Sequence, residues 1–165
     1  MTDYGNYGVK GNEINIHSRS VDPRARALSA LANRAFEVDD QMFASFEGFF
    51  NSIKWPTLNS RRRYAAASCF GKAQRYGEGA QTDWVWWKGM KTAAGSPEHL
   101  ALIRRAHWES IRQSPEATEA LLATGDLVIT HYIHPGPVPD SPYPAELFCA
   151  ELTEFRERLR REFGG

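Results

Sequence analysis

Two ionisable side chains raise a chemical question first. Glu47 sits near the start of a Phe-rich segment, residues 46–54, and Lys54 closes that segment seven residues later. Phe46, Phe49, Phe50 and Ile53 recur at spacings of three and four, which marks a helix. Ser45 supplies its N-cap, and Pro56 stops it. Seven residues make two helical turns, so both charges share a face. A carboxylate among phenylalanines is expected to be partly buried. In a dry cleft it acts as general base, nucleophile or stabiliser of an oxocarbenium ion. The competing interpretation is that a first-turn acid merely complements the helix dipole.

Two further features could bind a substrate. Trp84, Trp86 and Trp87 form an indole cluster. Such rings stack nucleobases at about 1–3 kcal/mol per base, although core packing normally claims some of them. Strand alternation puts Trp84 and Trp86 on one side and Trp87 on the other. Arg61, Arg62, Arg63, Arg104 and Arg105 form a basic set. Arginine pairs bidentately with phosphate oxygens, and the alternative is a solvated helix face. Familiar motifs for other chemistries are missing: no GxGxxG follows a strand, no GKS or GKT occurs, and no GxSxG occurs. Cys69 and Cys149, both expected inside helices, read as free core thiols. His131 and His134 are the closest histidine pair, and no third ligand stands at a matching spacing, so no metal is expected.

The elements that must position these residues follow from start and stop signals. Residues 1–12 read as a flexible tail, and 13–165 as one domain. A short strand is expected over 13–17, a loop at Asp22-Pro23, and a hairpin around Asp39-Asp40-Gln41. After the Glu47 helix come a helix over 60–69, a break at Gly71 and a short helical piece to Tyr76. Residues 83–90 read as a strand, because Val85 and the tryptophans favour one. Ser96-Pro97-Glu98 and Ser114-Pro115-Glu116 each open a helix, and Gly125 caps the second. A strand over 127–130 and a Pro-rich loop over 134–144 lead to a final helix from Pro144 or Ala145. The fold class is therefore α+β: a helix-rich single domain with a few short strands.

Composition limits the partners. Apolar residues at 42% and charged residues at 24% of the 165 exclude a disordered chain. Twenty basic charges cancel twenty acidic ones. A global field cannot then hold nucleic acid, although a local basic groove still can. No stretch reaches the length of a membrane span, and the polar N-terminus carries no secretory signal, so a cytoplasmic protein is expected.

Taken in order, these residues resemble the NADAR family, named for NAD and ADP-ribose. Ile14-Asn15-Ile16-His17-Ser18 is similar to its first strand, and Leu28-Ser29-Ala30-Leu31 to its "LSNF" turn. Ser45-Phe46-Glu47-Gly48-Phe49-Phe50, with Lys54, resembles its "SvEGFwq" helix and the lysine seven residues after the glutamate. Gly71-Lys72-Ala73-Gln74 looks like "GxxAK". Trp87-Lys88-Gly89 and Ser96-Pro97-Glu98-His99 look like a subgroup's "WxG" and "GSxEH". Ile103-Arg104-Arg105-Ala106 and the run from Leu121 to Asp126 match "RaKFxQNpelxeaLLaTGd". Residues 143–156 resemble the subgroup's closing helix. The resemblance covers residues 13–160. The family's Asn is Ala30 here, and the Gly-rich C-terminal segment of its riboflavin-type branch is replaced by the Pro-rich loop.

The resemblance implies a NADAR-like fold and an N-glycosidase that needs no cofactor. It places catalysis on Glu47, with Lys54 keeping Glu47 ionised or binding phosphate. Substrate contacts fall to Trp87 in preference to Trp84, and to Ser29, Phe50, Arg104 and Arg105. The substrate it favours is ADP-ribose on a guanine base carried by DNA or RNA. An ADP-ribosyltransferase toxin is then an implied partner, with this chain as antitoxin. The alternatives are hydrolysis of phosphoribosyl pyrimidines of riboflavin synthesis, or a non-catalytic ADP-ribose or nucleotide reader, to which Ala30 lends weight.

Overall fold

The computed structural model describes residues 8–132 and 141–164. Among them the elements run β1 (Val9–Lys10), β2 (Glu13–Asn15), α1 (Pro23–Ala27), β3 (Phe36–Val38), β4 (Gln41–Phe43), α2 (Phe46–Ser52), α3 (Ser60–Ala66) and α4 (Phe70–Arg75), followed by β5 (Trp84–Trp87), β6 (Met90–Ala93), α5 (Pro97–Arg112), α6 (Pro115–Ala123), β7 (Val128–Thr130) and α7 (Ala145–Phe163). The fold is α+β and helix-rich, as the sequence indicates. The chain forms two compact units, Met1–Ser29 with Pro115–Gly165, and Ala30–Ser114.

In the first unit β2 is the central strand. It pairs antiparallel with β1 and parallel with β7, in register Ile14↔Ile129. Asn15 is buried at the strand end and satisfies both faces of its amide. Its Nδ2 donates to the Tyr132 carbonyl, and its Oδ1 accepts from the Tyr132 N–H. Ile14, Ile16, Leu28, Leu121, Leu152 and Phe155 supply the core. Buried Arg156 donates to Thr124 Oγ1 at 2.9 Å and to the Leu127 carbonyl at 2.8 Å, pinning α7 to the end of α6. Gly125 adopts φ +58° after α6, the left-handed cap anticipated for it.

In the second unit two hairpins and four helices surround a phenylalanine core. Phe36, Phe43, Phe46 and Phe49 are each at most 4% exposed. Phe43 and Phe49 meet edge-on at 5.2 Å, a favoured ring geometry. The β3–β4 turn places Asp39 and Asp40 at φ +51° and +65°, a mirror-image two-residue turn that suits the twist of the strands. Helices α2 and α3 approach closely at Gly48, where a Cβ would fall 2.5 Å from the Ala65 carbonyl oxygen.

Five local expectations need correction. The strand Val9–Lys10 lies inside the segment read as a flexible tail and pairs with β2. Asp22-Pro23 opens a helix rather than a loop. Asp22 Oδ1 accepts from the Arg24 N–H at 2.9 Å, and five residues are too few to show an apolar period. Gly71 does not break the chain but lies in the first turn of α4; the interruption falls over residues 67–69, ahead of Phe70 at φ +53°. Cys69 is therefore the N-cap residue of α4, not a helix-interior residue. Residues 84–93 form a hairpin, with Lys88-Gly89 as its turn, because the exposed β6 lacks an apolar alternation to announce it. His134 and most of the Pro-rich loop lie outside the described residues.

Candidate active site

Helix α2 starts where Ser45 Oγ accepts from the Gly48 N–H at 2.9 Å and donates to the Ser68 carbonyl at 2.7 Å. This buried cap ties the helix start to the end of α3. The Glu47 N–H donates to the Ala30 carbonyl at 2.9 Å, using one of the donors a helix start leaves free. The Ala30 backbone thus helps fix Glu47, at the position where the resemblance sets an asparagine.

The Glu47 side chain is half-buried. Its Oε1 accepts from Asn51 Nδ2 at 3.2 Å. Asn51 is buried, and Nδ2 donates also to the Ala73 carbonyl at 2.9 Å, while Oδ1 accepts from Lys54 Nζ at 2.9 Å. A Cβ on Gly77 would fall 2.2 Å from Asn51 Oδ1, so the Gly77 backbone closes over the amide. Among the described residues Glu47 and Lys54 make no direct ion pair; Asn51 links them. Lys54 lies beyond the helix, because α2 ends at Ser52 with Ile53 as C-cap. It is therefore not two turns along the same face but reaches back from the turn, its Nζ 4.4 Å above the Phe50 ring.

Burial pushes the Glu47 carboxyl above the ordinary carboxylate range, against the pull of the Lys54 charge and the Asn51 hydrogen bond. Burial also lowers the Lys54 ammonium, against the pull of Glu47. The two groups thus offer a basic carboxylate and a softened ammonium joined through one amide.

His99 was not singled out as a site residue. It is 3% exposed. Its Nδ1 accepts from the Gly95 N–H at 2.9 Å, so the neutral ring carries its proton on Nε2. Among the described residues that buried Nε2 has no partner. Burial and the Lys54 charge hold His99 below the ordinary histidine range. The sequence signals were present: Asn51 is four residues past Glu47 and three before Lys54, and His99 is in the first turn after a strong cap.

The remaining sequence candidates separate. Trp87 is half-buried, its ring 6.2 Å from Phe43 and 5.8 Å from Phe49, and its Nε1 donates to Asp39 Oδ2 at 3.0 Å. Val85 shares this inward side at 2% exposure, whereas Trp84 is 40% exposed, as alternation requires. Lys91 Nζ lies 4.3 Å above the Trp84 ring. Arg105 does not stand open for phosphate. It forms a fork on Asp39 at 2.6 and 2.8 Å, and with Trp87 and Lys88 holds that carboxyl well below its usual range. Arg104 is exposed. Ser29 is buried at the end of α1, in the first unit. The structure thus brings together Glu47, Lys54 and Phe50, and separately Trp87 and Arg105 around Asp39. No group of three or more His, Cys, Asp or Glu able to hold a metal occurs among the described residues. No helix among them is long and apolar enough to cross a membrane.

Comparison with known proteins adds three findings. The family described as bacteriophage protein GP30.3 matches residues 23–157. A 17.1 kDa protein from the gp30–rIII intergenic region of Enterobacteria phage T4 is 27% identical over 152 residues, covering 90% of this chain and 97% of the phage protein. The NMR structure of the E. coli protein YbiA superposes with a TM-score of 0.64 at 20% identity, covering 98% of this chain and 95% of YbiA. The fold of this chain is YbiA-like.

Proposed function

This chain belongs to the bacteriophage protein GP30.3 family, and from the Glu47–Asn51–Lys54 arrangement we propose that it is an N-glycosidase hydrolysing an N-ribosyl bond. Its substrate in this reading is ADP-ribose attached to a guanine base in nucleic acid. The water oxygen bonds to the anomeric carbon, the C–N electron pair departs to the base nitrogen, and a water proton ends on the base. Positive charge grows on the sugar as the bond breaks. A fixed carboxylate counters that charge far better in a poorly hydrated cleft than in water. Glu47 supplies it, or accepts the proton of the attacking water. A carboxyl raised toward neutrality suits proton transfer. Lys54 favours the ionised form of Glu47 and offers a donor to a substrate phosphate.

The observation that carries this reading is the Glu47 carboxyl itself. Burial raises its pKa, yet the Asn51 amide donates to it and the Lys54 amine backs that amide. An acid serving only the helix dipole needs neither. The test is incubation with single-stranded DNA bearing ADP-ribosylated guanine, with mass analysis for free ADP-ribose. Release by the wild type, and its loss in Glu47→Gln, supports the proposal. Cleavage of a phosphoribosyl pyrimidine alone moves the substrate to the small intermediate. A thermal shift with ADP-ribose but no release marks a reader without chemistry, and no response to any of these ligands refutes the proposal.

A further inference from the structure

The Glu47 site leaves unused a groove of about 640 Å³ between α3 and the end of α4, lined by Arg61, Tyr64, Arg75, Tyr76 and Glu78 among others. That volume is within the range of small-ligand sites, roughly 300–1,000 Å³. Tyr64 and Tyr76 face each other with ring centroids 5.7 Å apart and planes 34° from parallel. Tyr64 is 47% exposed, and the Arg63 guanidinium lies 5.6 Å over its ring, a contact that a stacking base would replace. Arg61 and Arg75 are both exposed. Among the described residues neither guanidinium has a carboxylate partner, in contrast to Arg105, which Asp39 occupies. Glu78 is the one acid in the lining, set against two guanidinium groups.

The wall of this groove is joined to the candidate active site. Trp55 Nε1 donates to the Tyr76 carbonyl at 2.6 Å, and Arg61 lies 5.4 Å over the Trp55 ring. The next residue, Gly77, is the one closing over Asn51. One peptide unit thus separates the tyrosine face from the Asn51 amide that donates to Glu47.

Unpaired guanidinium forks match phosphate oxygens. Tyrosine faces stack any base without reading its edges. Resting on the glycosidase reading above, we propose that this groove binds a single-stranded nucleic acid, seating a nucleotide next to the modified base, its base on Tyr64 and its phosphates on Arg61 and Arg75. The chain has no net charge, so this local pair, not a global field, supplies the attraction.

The test measures binding of a short fluorescein-labelled single-stranded DNA by anisotropy, over a salt series, without relying on turnover. The proteins are wild type, Tyr64→Ala, Arg75→Ala, Arg61→Ala and, as a control outside the groove lining, Arg19→Ala, each checked for folding by its melting curve. The wild type is expected to bind with a log–log salt slope reduced by roughly 0.7 in each arginine variant. Tyr64→Ala should weaken binding roughly 5- to 150-fold, the loss of one stacked base. Arg19→Ala should bind as the wild type does. The proposal is overturned if the strand does not bind, or if folded groove variants bind normally. It is also overturned if adenosine monophosphate binds as tightly as the strand with the same sensitivities, which would make this a free-nucleotide site. Normal strand binding without release of ADP-ribose would sink the glycosidase reading and leave the groove standing.

Discussion

Replacing Glu47 with Gln should separate two roles that one carboxylate combines. Gln keeps an oxygen for Asn51 Nδ2 and nearly the same volume, so the contacts of α2 persist. What disappears is the negative charge. For catalysis, losing a positioned base or charge stabiliser is expected to lower turnover by a factor of roughly 10² to 10⁴. That is about 3–6 kcal/mol of transition-state stabilisation at about 1.4 kcal/mol per decade. For stability the sign reverses. The carboxyl is raised in the folded protein, chiefly by burial. Its contribution is therefore most favourable below the unfolded value near 4.5 and is lost as pH rises through the folded value. As pH rises above the unfolded value, the burial of this carboxyl costs the fold stability. The attraction to Lys54 opposes this but is the smaller effect, and Lys54 can itself release a proton when its partner goes. Glu47→Gln should therefore melt higher than wild type at pH 7–8, with the gap closing toward pH 4. Paired melting curves and single-turnover assays across that range check both halves. A variant that melts lower at every pH would show Glu47 to be a structural anchor. Unchanged turnover in a folded variant would remove it from the chemistry.

Three further outcomes follow from the same geometry. Asn51→Leu removes the amide linking Glu47, Lys54 and the Ala73 carbonyl. It should lower turnover at least tenfold and destabilise by about 1–3 kcal/mol, the range for stranding a buried polar partner, read by urea denaturation beside activity. Trp87→Ala should cost about 2–3 kcal/mol, less than the 3–5 of a fully buried aromatic because part of the side chain is open to solvent. Trp87→Phe should restore the ring contacts but not the donor to Asp39, and a Trp87→Ala protein with wild-type stability would contradict the packing described. His99 is held below its unfolded value of 6.5, so its share of stability is present above that pH and falls away as pH drops toward the folded value. His99→Gln, which keeps an acceptor for Gly95, should flatten the loss of melting temperature below pH 6.5, and an unchanged acid profile would exclude His99 as a contributor.

The helices were legible because their signals are local. Ser45, Ser96 with Pro97, and Pro115 each declare a start within a few residues, and the apolar periods of α2, α5 and α7 repeat long enough to show. Helix α1 and strand β6 were not, since one is five residues long and the other carries no apolar alternation. Glu47 was legible as a lone acid on a phenylalanine-rich helix. Its relation to Lys54 was not, because a spacing of seven states a face only while the helix continues, and α2 stops two residues short of Lys54. Arg105 shows the same gap between composition and geometry. An arginine pair in sequence suggests phosphate, but whether an acid such as Asp39 has already taken the fork depends on a contact 66 residues away.

Those missed contacts explain how an unfavourable carboxylate is kept in place. The Glu47 carboxylate is not held by its own interactions, since among the described residues its one side-chain hydrogen bond, from Asn51, is long at 3.2 Å. It is held by the backbone around it. Ser45 caps α2 and binds Ser68, Gly48 permits close approach to α3, and the Ala30 carbonyl takes the Glu47 N–H. Each of these fixes main chain rather than the carboxyl, so the side chain keeps its reactivity while its position is set. On this argument the methyl group at Ala30 is compatible with a working site, because what reaches Glu47 from residue 30 is a carbonyl that any side chain there would leave in place. Gly48→Ala, in contrast, must push α2 off the Ala65 carbonyl and displace Glu47 with it. It is expected to reduce turnover even in the fraction that remains folded, whereas Ala30→Asn leaves the backbone contact intact and should not.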